Sequence, residues 1–252
     1  YIYQPVHELP DIRWKDLGQH ISSIVPIEDS EEIIEVIGTE RFDQENTFIL
    51  TATRSGQIKR SPLSEYAVTR YSKPVRTMNL KNDDEMIFAG LISDNKEVLL
   101  TSYLSYSLRF DIEEIPVTGV KTGGVKGMNL KDNDHLVSVN MLNKSAEQDI
   151  MVITHRGAVK RMSVSEIEIS SRAKRGVVTL KELKANPHRI YAVIAVDSDD
   201  TIKITTAKHI EETLAVSSFT KADRYSNGSL KFDVSNDGDL VLVKVLPKEN
   251  NE

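Results

Sequence analysis

The sequence predicts an all-β protein, a propeller-like array of about five four-stranded blades with the first blade truncated. Three observations carry this. A strand that ends in threonine recurs at residues 47–51, 96–101, 150–154 and 201–205, so Thr51, Thr101, Thr154 and Thr205 stand about 50 residues apart. A second anchor keeps that period: Leu80 opens LKNDDEMI, Leu130 opens LKDNDHLV and Leu183 opens LKANPHRI, with Ile27 and Val234 opening more divergent copies. No segment sustains a 3.6-residue period over three turns, so long helices are not expected.

The units run approximately over residues 1–40, 47–92, 96–143, 149–195 and 200–246. In the first, residues 1–10 parallel residues 107–116, and the missing first strand would lie before Tyr1. The chain opens at Tyr1-Ile2-Tyr3 without a methionine, as a piece of a longer protein would. In the second unit, residues 47–53 and 57–61 form a hairpin around Arg54-Ser55-Gly56, the glycine supplying a positive φ. Residues 61–69 have room for one short helical turn. Residues 75–80 and 85–92 then read as a second hairpin around the turn formers Asn82-Asp83-Asp84. Continuous apolar strands such as Met151-Val152-Ile153 are expected to be covered on both faces. One unit alone buries too little to be stable, so the core must come from packing blade on blade.

Composition excludes some functions. There is no cysteine, hence no disulfide framework, thiol nucleophile or thiolate metal site, and a reducing cytoplasm fits. No apolar run approaches the roughly 18 residues that span a bilayer. A net charge of −6 speaks against a simple nucleic-acid binder. The charges are segregated, however. The connection before each third strand carries Arg13 and Lys15; Arg70, Lys73 and Arg76; Lys121 and Lys126; Arg172, Lys174 and Arg175; Lys221 and Arg224. The turn after it carries acids instead: Glu28, Asp29, Glu31 and Glu32; Asp83, Asp84 and Glu85; Asp132 and Asp134; Asp237 and Asp239. The fourth unit has Asn186-Pro187-His188-Arg189 there. Equivalent loops of a radial array share a rim, so a basic ring and an acidic ring are expected. Screening over about 8–10 Å lets the basic one act locally. A weaker basic set, Lys59-Arg60, Arg109, Lys160-Arg161 and Lys203, lies on strands, where neighbours point to opposite faces. One residue of each adjacent pair should therefore pack its stem between blades.

The six histidines have no metal-ligand spacing, and His135 and His188 share one repeat position in a turn. Residues 123–127 are no phosphate loop, and their glycines read as places where backbone approaches a neighbouring blade or a ligand. Trp14 reads as an anchor for the first blade. No nucleophile has a base at a local motif spacing.

Residues 53–60 and 154–161 both read T-x-x-G-x-[IV]-K-R, and residues 124–130 read GVKGMNL. These units resemble the C-terminal repeats of bacterial type IIA topoisomerase A subunits, and the similarity covers essentially the whole chain. Residues 3–20 look most like the topoisomerase IV branch of Gram-positive bacteria. The resemblance implies a β-pinwheel whose blades exchange strands and which binds and bends duplex DNA without regard to sequence. It places DNA contacts at Arg13, Lys15, Arg70, Lys73, Arg76, Lys121, Lys126, Arg172, Lys174 and Arg175, with Lys59 and Lys160 from the strand set. It implies no catalysis and no cofactor in this fragment, the active-site tyrosine lying elsewhere, and ATP and magnesium serving the holoenzyme in relaxation and decatenation. The implied partners are DNA, the N-terminal part of the same polypeptide and, through it, the ATPase (B) component, in the cytoplasm at the nucleoid and not on a membrane. The gyrase box Q-R-R-G-G-K-G is not found, residues 121–127 being its nearest echo, and the turn at residues 207–209 lacks the glycine. The alternatives are a propeller-type protein-interaction module, a propeller enzyme with a site in its central channel, and the DNA-wrapping domain of a gyrase A subunit.

Overall fold

Four antiparallel sheets follow one another in the computed structural model, described for residues 1–28, 30–68, 73–81, 83–94, 96–144 and 147–246. The first joins β1 (Thr47–Thr53), β2 (Gln57–Pro62) and β3 (Met86–Ser93), and the second joins β4 (Lys96–Ser102), β5 (Tyr106–Asp111) and β7 (Leu136–Asn143). The third joins β8 (Asp149–Thr154), β9 (Ala158–Ser163) and β11 (Ile190–Val196), and the last β12 (Thr201–Thr206), β13 (Glu211–Ala215) and β15 (Leu240–Val245). The β1–β2 hairpin turns at Gly56 with φ 82°, and a 3-10 turn at Leu63–Tyr66 occupies the connection where one helical turn is expected.

The second hairpin of each unit does not form. Its first strand crosses instead to the outer edge of the preceding sheet. Thus β6 (Val125–Lys126) pairs with β2, β10 (Val177–Val178) with β5, and β14 (Ser229–Leu230) with β9. Three features make this crossing the better pairing. Gly124, Gly176 and Gly228 let the arriving chain pass against foreign backbone. At Gly176, φ 85°, a Cβ would lie 2.2 Å from the Ser107 carbonyl oxygen. A large apolar side chain three residues into each crossing strand, Met128, Leu180 or Phe232, is at most 3% exposed. The carbonyl of the positive-φ turn residue accepts from the arriving strand: Gly127 N to Gly56 O at 2.8 Å, Thr179 N to Ser105 O at 2.8 Å, Lys231 N to Gly157 O at 2.9 Å.

Residues 1–46 hold no strand among those described, so the expected unit 1–40 adds no sheet. Tyr1, Ile37 and Phe42 pack on Ile49 of the first sheet, Leu63 and Tyr66 of the 3-10 turn that follows it, and Val120 of the next connection. Tyr1 and Val75 exchange two backbone hydrogen bonds, of 2.7 and 2.8 Å, at the repeat positions of Ser107 and Val177. Trp14 is no anchor: it is 88% exposed.

Strands of the middle sheets are buried on both faces, and side-chain alternation sends their two faces into different cores. Val98 and Leu100 pack toward the first sheet, while Leu99 packs with Ile150 and Val152 of the third. Met151 and Ile153 pack with Ile202 and Ile204 of the fourth. The inner strands β3, β7, β11 and β15 touch in that order, which leaves the exchanged strands outermost. In β12 only Ile202, Ile204 and Thr206 are buried, while Thr201, Lys203 and Thr205 are partly exposed, so the last sheet presents a polar face. Among the described residues no helix is long and apolar enough to cross a membrane.

Gly176→Ala is expected to cost about 2–3 kcal/mol, since a side chain there meets backbone at a left-handed φ. Denaturant unfolding checks it, and a midpoint equal to that of the parent protein would refute the close-approach reading.

Candidate nucleic-acid interface

Each basic connection is led to the outer edge by backbone pairing. It meets the edge at Arg60, Arg109 and Arg161, whose carbonyls accept from Thr118, Ser170 and Ala222 at 3.0, 2.8 and 2.8 Å. A glutamate in the 3-10 turn then holds it. Glu65 accepts from the Val120 N–H at 3.0 Å, Glu114 from Arg172 N–H at 2.7 Å and Glu166 from Arg224 N–H at 3.4 Å. Sequence reasoning missed these acids, although their recurrence at one repeat position is legible in the chain.

The strand lysines require a correction. Lys59 and Lys160 are 1% and 2% exposed and cannot reach a phosphate. The Lys160 ammonium donates to the carbonyls of Thr179 at 2.6 Å, Arg224 at 2.7 Å, Ser226 at 2.9 Å and Asp223 at 3.2 Å. Lys59 does the same with Thr77, Val120 and Gly119. Burial pushes both ammonium groups down to about 8, which leaves them cationic at neutral pH. The arginines one position on, Arg60 and Arg161, and Arg109 at the same repeat position, are internal too. Arg60 lies 4.8 Å over the Phe48 ring, Arg109 donates to Glu97 at 2.5 Å and Arg161 to Asp149 at 2.7 Å. Both members of each pair are thus committed, because one face of the strand meets the next core and the other meets the arriving connection.

The connection residues divide. Lys73, Arg76, Lys121, Lys126 and Lys174 are exposed, as are Arg13 and Lys15 in the N-terminal segment. Arg70 lies outside the described residues. Arg172 is half-buried and donates to the carbonyls of Glu114, at 3.0 Å, and Lys126. The Arg175 guanidinium stacks 3.8 Å from the Tyr106 ring centre. Lys221 is exposed but pairs with Asp149 at 2.9 Å. The cations on the outer edge without an ion pair among the described residues are therefore mainly lysines of the first two exchanged connections, Lys121, Lys126 and Lys174.

The acidic turns are clamps as well as surface. Asp84 accepts from the Ser55 N–H and Asp134 from the Leu104 N–H, both at 2.9 Å, closing the hairpin turn of the same sheet. In the third sheet His188 takes this place, its Nδ1 3.2 Å from the Thr154 hydroxyl and its Nε2 3.4 Å from Arg156. His135 stacks on Tyr103 with centroids 4.8 Å apart and meets Arg54 at 3.2 Å. Burial, then the adjacent arginine, holds both imidazoles below their ordinary 6.5.

A family model described as DNA gyrase C-terminal domain, beta-propeller, matches residues 47–93, 96–143 and 148–197. Over 96% of its length the chain is 43% identical to the A subunit of DNA topoisomerase 4 from Bacillus subtilis (strain 168). Over 95% it is 38% identical to the protein of that name from Staphylococcus epidermidis. It spans 30% of the length of each. A crystal structure of the C-terminal domain of DNA topoisomerase IV superposes with a TM-score of 0.94 at 46% identity, covering 99% of this chain and 76% of that one. A DNA gyrase A C-terminal domain superposes with a TM-score of 0.78 at 22% identity, covering 91% and 75%, a likeness of fold.

Lys160→Met leaves a group of buried carbonyls without a donor and is expected to destabilise the fold by about 3 kcal/mol. Equal unfolding midpoints for the variant and the parent would contradict the clamp. For His135 and His188 the folded pKa lies below the unfolded one. Their contribution is full above pH 6.5 and is lost as pH falls through the lowered values. Melting temperature should drop between about pH 7 and 5 in the parent and drop less in a His135→Gln, His188→Gln variant.

Proposed function

The chain belongs to the DNA gyrase C-terminal domain, beta-propeller, family, and from that premise we propose that it binds duplex DNA along its outer edge and bends it. The observation that carries the reading is the recurrence of exposed Lys121, Lys126 and Lys174, without an ion pair among the described residues, on successive exchanged connections, with Lys73 and Arg76 on the connection before them. Ammonium groups on flexible stems reach phosphates and read no base edges, so binding is independent of sequence. The edges of successive sheets face successive directions, so a duplex that follows them must curve. The few kcal/mol this costs are offset by the added phosphate contacts. The net charge of −6 does not prevent this, because many of the carboxylates are engaged by backbone N–H groups, Asp84 and Asp134 at the hairpin turns and Glu65, Glu114 and Glu166 at the connections, while Lys121, Lys126 and Lys174 stay exposed.

In this reading the domain is an accessory part of the larger topoisomerase IV polypeptide and guides which DNA segments the assembly captures for ATP-dependent relaxation and decatenation. It performs no chemistry and needs no cofactor. ATP and magnesium act elsewhere in an assembly that includes the rest of that polypeptide and a separate ATPase component, in the cytoplasm at the nucleoid.

Five or six phosphate contacts imply a log–log salt slope of roughly −5. Changing Lys121, Lys126 and Lys174 to glutamate should remove about three contacts and reduce the slope by about 3. Binding measured by fluorescence anisotropy across salt concentrations checks this, and a slope unchanged in the folded variant would move the DNA path off this edge. Arg172 and Arg175 are unsuited to the test, since both also hold the fold.

A further inference from the structure

The junctions between successive sheets are not fastened alike. Between the first and second sheets, and between the third and fourth, an ammonium group acts on the outer side. Lys59 of β2 binds carbonyls of the connection arriving from the second sheet, and Lys160 of β9 binds those of the connection arriving from the fourth. The same position on β5 is Leu108, which has nothing to donate to the connection arriving from the third sheet.

That middle junction is fastened from the inner side instead. Asn140 of β7 is buried, and both ends of its amide are spent on β11. Its Nδ2 donates to the Val193 carbonyl at 2.9 Å, and its Oδ1 accepts from the Ala195 N–H at 2.8 Å. The Ser138 hydroxyl accepts from the Val193 N–H at 2.9 Å. Backbone groups on the free side of β11 are thus satisfied by side chains of another sheet, as a paired strand would satisfy them. The other junctions have no counterpart. Gly90 of β3 and Ile194 of β11 stand where Asn140 stands, and Phe88 and Ala192 stand where Ser138 stands. None of these four side chains carries a hydrogen-bonding group.

We propose that Asn140 is a positioning residue for DNA bending: by holding β11 against β7 it sets the angle between the second and third sheets, and with it the curve of the outer edge. This rests on the reading that a duplex follows that edge. Apolar contacts tolerate sliding, whereas a two-ended amide bond fixes distance and direction. The connection that carries Lys174 leaves the third sheet and is received on the second, at the Arg109 carbonyl and at Glu114, so its course depends on this angle. A duplex is stiff over a few tens of base pairs. It straightens an array whose sheets can turn, and it bends on one whose sheets are fixed.

The chain has no cysteine, so spin labels can be placed on introduced ones. Ser64, Glu113 and Ser165 are exposed and share one repeat position in the 3-10 turns that follow β2, β5 and β9. Asn140→Leu keeps the shape and removes both amide bonds. It should broaden the distance distribution between labels on Glu113→Cys and Ser165→Cys and leave that between Ser64→Cys and Glu113→Cys unchanged. Ser138→Ala, which removes only the bond to the Val193 N–H, should broaden the same distribution less, and it carries the test if Asn140→Leu does not fold. On DNA, energy transfer between dyes at the two ends of a bound duplex should fall toward that of the free duplex. The salt slope of binding should stay that of the parent, since no cation is removed. Distributions unchanged in the folded variants, broadening at both junctions alike, or an unchanged bend beside a broadened distribution would each overturn the proposal. A parent chain that leaves the duplex straight would instead refute DNA bending itself, and the label distances would still decide what Asn140 holds.

Discussion

In the first and third sheets strand exchange is held by an ammonium group that sits where three segments of chain meet. Lys160 lies on β9, yet it binds the carbonyl of Thr179, at the end of a strand lent to the preceding sheet, and the carbonyls of Asp223, Arg224 and Ser226, on the connection arriving from the next unit. Lys59 joins the first sheet to its successor in the same way. Burying a charge without partners costs several kcal/mol, and a buried carbonyl without a donor also costs. Each group satisfies the other, so the crossing of segments and the burial of the lysine are stable only together. In the second sheet the position is Leu108, and the crossing there relies on Thr179, whose N–H and hydroxyl both reach the Ser105 carbonyl, and on Arg175 over Tyr106.

This constraint also decides which cations are left for a ligand. The connections are held by their backbone: at one end by the edge carbonyls of Arg60, Arg109 and Arg161, in the middle by Glu65, Glu114 and Glu166. Side chains between these points need not hold the fold, and Lys121, Lys126 and Lys174 stay exposed. The arginines of the same loops, Arg172 and Arg224, donate back to the carbonyls of Lys126 and Val178. Their planar, multidentate guanidinium suits that task better than an ammonium does. Carboxylates that make the chain acidic serve at hairpin turns and connections, so net charge is a poor guide to the field at the edge.

Among the described residues the fourth sheet has three strands, an alternating β12 with one polar face, and charged residues on the edge of β13. Charges on a strand edge keep it from pairing at random.

The amino-acid sequence by itself determined the all-β class, the period of about 50 residues, the first hairpin with its glycine turn, and the segregation of basic connections from acidic turns. These are local or periodic properties, and a repeat displays each of them several times. The tertiary structure decided where the third strand of each unit pairs. Residues 125–126 satisfy the same alternation whether they fold back on β7 or cross to β2, and the fit of Gly124 and Met128 against the preceding sheet, with the Gly127 N–H on the Gly56 carbonyl, separates the two. The fates of Lys59 and Lys160 followed from that crossing. A lysine on a strand reads as surface in one dimension, and only when a foreign connection passes over it does it become the buried donor that holds three segments together.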